Sequence, residues 1–450
     1  MLSKEELKTE KTRTQLLHEI TQIESKFIQD GENLDKRIQY ASLLYQAGSF
    51  HQAKETLQPI LEIDEAASEA LILLADIEYL HGNYTAQEKI LQRVLENNPD
   101  DAQLKVQVQI KLLFGYFHSN QFTKSHDLLI GMEGNIKLPI WDMMKSFEDA
   151  PPFQIDWQGK SKEIVPFLIT DPLPLISVEM QGKKIYALID TGGDSFYLDN
   201  EYAAEMGIES VASAMGTFAG GKQAEVGFAK AETLKLGDLK MKNVPITILP
   251  IQRFSRGFAE GKYTIGGILG TNVLKQFLAT MDYPNGQLVL RQRNESGKAQ
   301  LRSEIKAKDY TEIPFFLHQT HHMLAKGSLN DKEDLIFFVD SGLASDAAFI
   351  APIQTLEYVG IPVQETEIPD AEDSIGGGGE GLFPVGSFEI ESLALGSLIH
   401  KDVKGAFGAL EPESYWNKGF IQDGLISHQF LREYSWSLDF DKMKYIFLSQ

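Results

Sequence analysis

The sequence ALIDTGG at residues 187–193 and the sequence IFFVDSG at residues 336–342 decide the fold of this 450-residue chain. Each is an apolar stretch that is typical of a buried strand, and each ends in Asp-Thr-Gly or Asp-Ser-Gly. One such stretch would be an ordinary strand end. Two of them, 150 residues apart, indicate a duplicated unit that brings Asp190 and Asp340 face to face.

The segments that follow the two stretches also repeat in the same order. Their partners are Gly220-Gly221 with 376–379, 234–239 with 393–398, 267–270 with 424–427, and Asp282-Tyr283 with Asp439-Phe440. The offset between partners drifts only from 150 to 159 residues. Short apolar runs with glycine turns fill both copies, which is typical of strands. The sequence therefore predicts two β lobes, residues 165–300 and residues 301–450.

Residues 1–145 have a helical pattern, with apolar residues three and four positions apart. A period of 34 relates Ala41 to Ala75, Gly48 to Gly82, Phe50 to Tyr84 and Leu57 to Leu91. The period resembles the tetratricopeptide repeat, a helix-turn-helix unit that stacks into arrays. A weaker third unit has Asn120 in place of the turn glycine and lies 38 residues after Gly82, so it requires a small insertion. The alternative is a plain helical bundle.

The composition changes near residue 150, where Pro151-Pro152 and polar residues predict a linker over 146–164. A second polar stretch, 291–308, separates the two lobes.

The order of motifs over residues 165–450 resembles the aspartic proteases, especially the retropepsin-like family of retroviruses and many bacteria. The resemblance implies an all-β bilobal fold after the all-α array, a bacterial source, and no metal or cofactor. It implies an endopeptidase in which Asp190 and Asp340 share one proton, because two adjacent carboxylates do not both ionise easily. The ionised member takes a proton from water while the protonated member polarises the peptide carbonyl.

The resemblance also assigns supporting residues. Thr191 and Ser341 would brace the two loops by hydrogen bonds, and Gly192 and Gly342 would let the backbone turn close to the carboxylates. Substrate-binding and flap positions are implied at Asp194, Gly220, Gly221, Gly376 and Gly377.

Gly193 and Leu343 stand where the family often has alanine, and two further positions depart from the family pattern. Thr271 stands where retroviral members have an arginine, and Ser427 replaces the glycine of the second lobe. Two alternatives therefore remain open: a protease that is active only as a dimer through lobe 1, and a catalytically inactive scaffold that binds peptides.

The remaining features limit the possible partners and the possible cellular compartment. A net charge of -22 argues against nucleic acid and anionic membranes, and the absence of cysteine excludes disulfides and thiolate sites. No apolar run is long enough to span a bilayer, and the first residues lack the apolar core of a signal peptide. We expect a soluble protein with a protein or peptide substrate and a protein partner on the repeats. It would be cytoplasmic, or periplasmic if a signal peptide has been removed.

Three histidines, His318, His321 and His322, invite a metal site. No acidic or cysteine partner stands at ligand spacing, so the sequence predicts ordinary surface histidines.

Overall fold

The structure is a computed structural model. It describes residues 11–29, 33–62, 67–132, 139–218, 222–252, 255, 261–306, 308–363, 386–408, 410 and 412–448. The predicted flap glycines Gly220, Gly221, Gly376 and Gly377 lie outside these ranges.

Helices fill the first part of the chain. They are α1 (Arg13–Gln29), α2 (Leu34–Gln46), α3 (Phe50–Leu57), α4 (Ser68–Leu80), α5 (Tyr84–Asn97), α6 (Ala102–His118), α7 (Phe122–Gly131) and α8 (Pro139–Lys145), with a 3-10 turn at Gln58–Glu62. None of the described helices is both long and apolar enough to cross a bilayer.

The turns between paired helices explain the period of 34. The residues Gly48, Gly82 and Asn120 end α2, α4 and α6 with φ angles of 80°, 72° and 59°, in the left-handed region. Glycine and asparagine tolerate this region better than other residues, so Asn120 takes the place of the turn glycine. Helix α6 has 17 residues where α2 and α4 have 13. Those four extra residues lengthen the spacing from 34 to 38.

Strands dominate the rest of the chain. They are β1 (Gln154–Asp156), β2 (Lys162–Pro166), β3 (Leu175–Met180), β4 (Lys183–Ile189), β5 (Phe196–Asp199), β6 (Ala212–Phe218), β7 (Lys222–Leu236), β8 (Leu239–Leu249), β9 (Ile265–Leu269), β10 (Leu278–Asp282), β11 (Gln287–Arg291), β12 (Tyr310–Leu317), β13 (Met323–Leu329), β14 (Lys332–Val339), β15 (Phe349–Ala351), β16 (Gly386–Leu395), β17 (Leu398–Phe407), β18 (Gly424–Ile426), β19 (Ser435–Asp439) and β20 (Lys444–Leu448). Short helices between them are α9 (Asn200–Glu205), α10 (Thr271–Leu274), α11 (Glu295–Ile305), α12 (Ile353–Val359) and α13 (His428–Leu431), with a 3-10 turn at Pro412–Tyr415.

The strands form two sheets. One has the order β1-β8-β5-β9-β4-β3-β7-β6, and the other has the order β14-β18-β15-β17-β16-β13-β12-β20-β19-β10-β11-β2. The second sheet joins the two halves of the β region, because β10 pairs antiparallel with β19. At this seam the hydroxyls of Thr280 and Ser437 lie 2.7 Å apart.

The range predicted as a linker contains two of these strands. Strand β1 pairs with β8, and strand β2 pairs with β11 at the edge of the second sheet. Some of the polar residues that suggested a linker, Gln154, Asp156 and Lys162, belong to these edge strands. Helix α11 likewise occupies most of the polar stretch 291–308.

The helical array packs on the outer face of the sheet that contains β14. Alternate residues of β14 divide between two cores: Phe337 and Val339 join the β core, whereas Ile336 and Phe338 join the core of the helices. The ring centroid of Phe50 in α3 lies 4.8 Å from the ring centroid of Phe316 and 4.9 Å from that of Phe420. The array thus buries the strand that leads to Asp340.

A buried ion pair adds to this contact. The guanidinium of Arg13, at the start of α1, donates through Nε to Asp423 Oδ1 at 2.9 Å and through Nη2 to Oδ2. Both residues are buried, and Asp423 also accepts from the backbone N–H of Ile336 at 2.8 Å.

Candidate active site

The first carboxylate stands at the end of a buried parallel strand pair. Strand β4 runs parallel to β9, and the backbone N–H of Asp190 donates to the carbonyl of Leu269 at 3.1 Å. Apolar side chains fill both faces of β4, so the strand is held from both sides and the carboxylate emerges where the pairing ends.

The second carboxylate has the same setting. Strand β14 runs parallel to β18, and the backbone N–H of Asp340 donates to the carbonyl of Ile426 at 2.9 Å. In both loops the next glycine donates its N–H to the aspartate: Gly192 to Asp190 at 2.7 Å and Gly342 to Asp340 at 2.8 Å. The two loops therefore present their carboxylates in matching ways.

Four residues join the two loops. The backbone N–H of Thr191 donates to Ser341 Oγ at 3.0 Å, and the backbone N–H of Ser341 donates to Thr191 Oγ1 at 2.9 Å. The Thr191 hydroxyl donates in turn to the carbonyl of Val339 at 3.0 Å, and Ser341 Oγ lies 3.5 Å from the carbonyl of Ile189. Both hydroxyl residues are fully buried, so these bonds are shielded from water.

Glycine is required where each loop meets the opposite carboxylate. A Cβ atom on Gly192 would lie 2.6 Å from both carboxylate oxygens of Asp340, and one on Gly342 would lie 2.0 Å from Cγ of Asp190. No side chain fits at such distances. The absence of a side chain at both positions lets the carboxyl groups approach until they hydrogen-bond to each other.

The environment favours one shared proton. Burial, and then the charge of Asp190, raise the pKa of Asp340 well above its ordinary value of 3.8. Burial also raises the pKa of Asp190, while hydrogen bonds from Asp340, Gly192 and Gly193 act in the opposite direction. Because the two groups titrate together, the proton belongs to the pair. One carboxyl of the pair stays protonated at pH values where an isolated aspartate is ionised.

Asp194 lies in the same loop as Asp190, four residues later. It accepts a hydrogen bond from the hydroxyl of Tyr197, and its own backbone N–H donates to that hydroxyl at 3.2 Å. Burial raises the pKa of Asp194, which the bond from Tyr197 partly offsets. The carboxylate of Asp194 is therefore already engaged by Tyr197.

Two tyrosines of the site were missed from the sequence. Tyr197 lies on β5, where its ring faces Gly193: a Cβ at that glycine would lie 2.7 Å from the ring. Tyr283 is buried, and its hydroxyl has no hydrogen-bond partner among the described residues. Burial raises the pKa of Tyr283, so its hydroxyl stays neutral. The repeated position of Tyr283 and Phe440 was a signal, but it indicated only a turn before a strand.

The two departures from the family pattern have structural explanations. The hydroxyl of Thr271 donates to the carbonyl of Thr191 at 3.0 Å, so this residue supports the Asp190 loop. At Gly270 a Cβ would lie 2.2 Å from the carbonyl oxygen of Ser195. The matching Ser427 instead donates its hydroxyl to the carbonyl of Ala347, so the second loop accommodates a side chain there.

The prediction that His318, His321 and His322 are surface residues is wrong. His318 and His321 are 7% and 2% exposed, and His322 stacks on Phe338 with ring centroids 4.0 Å apart. They lie in the turn between β12 and β13. The helical array covers this turn, because the ring of His118 in α6 contacts that of His321, with centroids 3.9 Å apart. Burial lowers the pKa of all three. Within the described part of the chain, no three histidine or acidic side chains are placed to hold a metal ion.

Comparisons with known proteins agree with this architecture. Residues 176–273 match the family model described as aspartyl protease, and residues 27–109 match the tetratricopeptide repeat model. The chain thus combines a tetratricopeptide repeat segment with an aspartic-protease-like segment. The predicted order, an all-α repeat followed by an all-β protease-like region, is confirmed.

Two solved structures are similar to parts of the chain. One is a retropepsin-like aspartic protease from Rickettsia conorii, with 16% identity over 31% of this chain and 92% of that chain and a TM-score of 0.21. The other is conglutin gamma, a basic 7S globulin from lupine seeds, with 8% identity over 64% of this chain and 95% of that chain and a TM-score of 0.38. No curated protein matches the chain.

Proposed function

We propose that this protein is an aspartic endopeptidase in which Asp190 and Asp340 act as one acid-base pair. The observation that carries the proposal is the mutual approach of the two carboxyl groups across Gly192 and Gly342, which gives the pair a retained proton. One shared proton is the state that allows acid and base catalysis in the same step.

In the proposed reaction a water molecule lies between the carboxyl groups. The ionised carboxylate removes a proton from the water as its oxygen attacks the peptide carbonyl carbon, and the protonated carboxyl gives its proton to the carbonyl oxygen. Collapse of the resulting tetrahedral diol breaks the C–N bond: the protonated carboxyl gives its proton to the departing nitrogen, and a diol hydroxyl gives its proton to the other carboxylate. The products are a carboxylic acid and an amine, and the pair again holds one proton.

The substrate is proposed to be an extended peptide that lies beneath the hairpin of β6 and β7. This hairpin is regular up to the pair Phe218 and Lys222, and the predicted flap tip follows directly. An extended peptide would make backbone hydrogen bonds of the β type, with side chains pointing alternately to the two walls. Tyr197 and Asp194, beside the carboxylate pair, would contact it.

Peptide cleavage by the wild type and by Asp190→Asn and Asp340→Asn tests this proposal. Each substitution keeps the shape and much of the hydrogen bonding but removes the ionisable group. We expect activity to fall at least about a thousandfold in both variants, the scale seen when one member of a catalytic unit is removed. Full activity in both would overturn the proposal. Activity retained only in Asp340→Asn would favour a dimer formed through the first lobe, and folded wild type that binds peptides without turnover would favour a scaffold.

We also propose that the helical array sets the position of the hairpin, in addition to offering a surface for a protein partner. Helix α8 packs against both β6 and β7. Its buried residues Trp141, Met143 and Met144 form a cluster with Phe147, against which Phe228 of β7 packs. This contact between the array and the hairpin supports the proposed gating role.

A lysine on β7 provides the test of gating. Lys230 Nζ donates to the carbonyl of Ser146 and stands 5.4 Å from the centroid of the Phe147 ring. We expect Lys230→Met to alter KM for peptides several-fold with little change in kcat, because the hairpin moves but the carboxylate pair does not. Lys235→Met is the matched control, since Lys235 lies on the same strand and pairs with Glu179 at the surface. Equal effects of the two substitutions would contradict gating.

A further inference from the structure

A cavity of about 360 Å³ lies where the helical array meets the β region. Tyr84 and the residues His118 to Asn120 line it from the array. Lys275, Arg293 and Asp441 line it from the β region. Nothing in the proposed proteolysis uses these groups.

Lys275 is the unusual member of this set. It is 5% exposed, and its ammonium donates to the backbone carbonyl of His118. Among the described residues, no carboxylate forms an ion pair with it. Burial, and then the charge of Arg293, lower the pKa of Lys275 from 10.5 to about 7. A buried ammonium with only carbonyl partners is unfavourable unless a counter-charge arrives.

The charges around Lys275 leave a positive excess. Arg293 donates through Nε to Asp441 Oδ1 at 3.1 Å and through Nη1 to the carbonyl of Lys275 at 2.6 Å. Asp441 also pairs with Lys298 at 3.0 Å, and Lys298 has a second, exposed partner in Glu295 at 3.6 Å, so Lys275, Arg293 and Lys298 share two carboxylates. Three other titratable neighbours are neutral: burial lowers the pKa of His118 and of His321, and burial raises the pKa of Tyr84. In a chain with a net charge of -22, a cavity with surplus positive charge is unexpected.

We propose that this cavity binds a small organic oxyanion, one that carries a phosphate or carboxylate group. The anion's oxygens would accept from the ammonium of Lys275 and from the guanidinium of Arg293, and its charge would balance the surplus. The volume holds a ligand larger than a single phosphate, so the rest of the ligand would lie against Tyr84 and Ser119.

The position of the site gives binding a structural consequence. Lys275 directly follows α10, and its backbone N–H donates to the carbonyl of Thr271, whose hydroxyl supports the Asp190 loop. The opposite wall belongs to the array. A bound anion would therefore link the array to the segment behind the carboxylate pair, and it would do so whether or not the pair hydrolyses peptides.

Calorimetric titration of the full chain with inorganic phosphate and with citrate, at constant ionic strength set by sodium chloride, tests the proposal. We expect saturable binding of at least one probe. Lys275→Met should weaken that binding about ten- to a hundredfold, the loss of one charge-assisted contact. Lys326→Met is the matched control, because it removes one exposed lysine that pairs with Asp334 far from the cavity. This control should bind as the wild type does.

Three results would overturn the proposal: no saturable binding of either probe, equal binding by Lys275→Met and wild type, or equal weakening by Lys326→Met. If Lys275→Met does not fold, Arg293→Gln replaces it, since that side chain is 31% exposed and its loss is better tolerated. Wild-type binding by the Arg293→Gln variant would then count against the site.

Discussion

The hydrogen bonds between the two aspartate loops predict that two conservative substitutions, Thr191→Val and Ser341→Ala, lower the stability of the protein by different amounts. Thr191→Val keeps the volume of the side chain but removes its hydroxyl. Two buried backbone groups then lose a partner: the N–H of Ser341, 2.9 Å away, and the carbonyl of Val339, 3.0 Å away. Each unsatisfied buried group costs about 1–3 kcal/mol, so the loss of two should lower the free energy of unfolding by about 2–6 kcal/mol.

Ser341→Ala removes less hydrogen bonding than Thr191→Val does. The N–H of Thr191 loses its acceptor at 3.0 Å, whereas the contact of Ser341 Oγ with Ile189 is already at the limit of hydrogen bonding, at 3.5 Å. The expected loss is about 1–3 kcal/mol, roughly half that of Thr191→Val. The structure thus predicts an order of the two losses as well as their size.

Urea unfolding followed by circular dichroism measures both losses. Thr56→Val is the control, because the hydroxyl of Thr56 donates to a helix carbonyl on an exposed face, and its removal should cost less than about 0.5 kcal/mol. Equal losses for Thr191→Val and Ser341→Ala, or losses no greater than that of the control, would refute the reasoning.

Three further predictions concern the carboxylate pair and the array. Because the pKa of Asp340 is raised in the folded protein, the protein should lose stability as the pH rises from 3.8 through that raised pKa; Asp340→Asn should lose less, and parallel pH profiles of urea unfolding would contradict this. Arg13→Met leaves Asp423 buried without its cation and should lower the free energy of unfolding by about 3–5 kcal/mol, while a loss below 1 kcal/mol in the same assay would show that the ion pair contributes little. Phe50→Ala should cost about 3–5 kcal/mol in chemical unfolding, because its fully buried ring fills the seam between the array and the β region, and a loss typical of a surface site would contradict that contact.

Local patterns in the sequence predicted the parts of the fold that depend on neighbouring residues. The period of 34 reflects one repeated turn, so the spacing alone identifies Gly48 and Gly82 as turn residues. The four-residue extension of α6 was visible as a change in that spacing. The strands before Asp190 and Asp340 were equally clear, because both are continuous apolar runs.

Contacts between distant segments were not visible. Ile336 and Phe338 had the same apolar character as Phe337, and only the structure reveals that they face the array and not the β core. The burial of His321 was missed for the same reason, because the residue that covers it, His118, lies about 200 residues earlier in the sequence. Tyr197 was missed for a different reason: it lies only three residues after Asp194, but its strand is short and nothing in the spacing pointed to a contact between the two side chains.

The central claim, that Asp190 and Asp340 act as one catalytic unit, is tested most directly by kcat/KM for a cleaved peptide in Asp190→Asn, Asp340→Asn and the double variant. If the carboxyl groups share one proton and one water, the two single variants and the double variant should be about equally inactive, because removing either member already removes the unit. Losses that multiply in the double variant, or a single variant that retains wild-type kcat/KM, would contradict the claim.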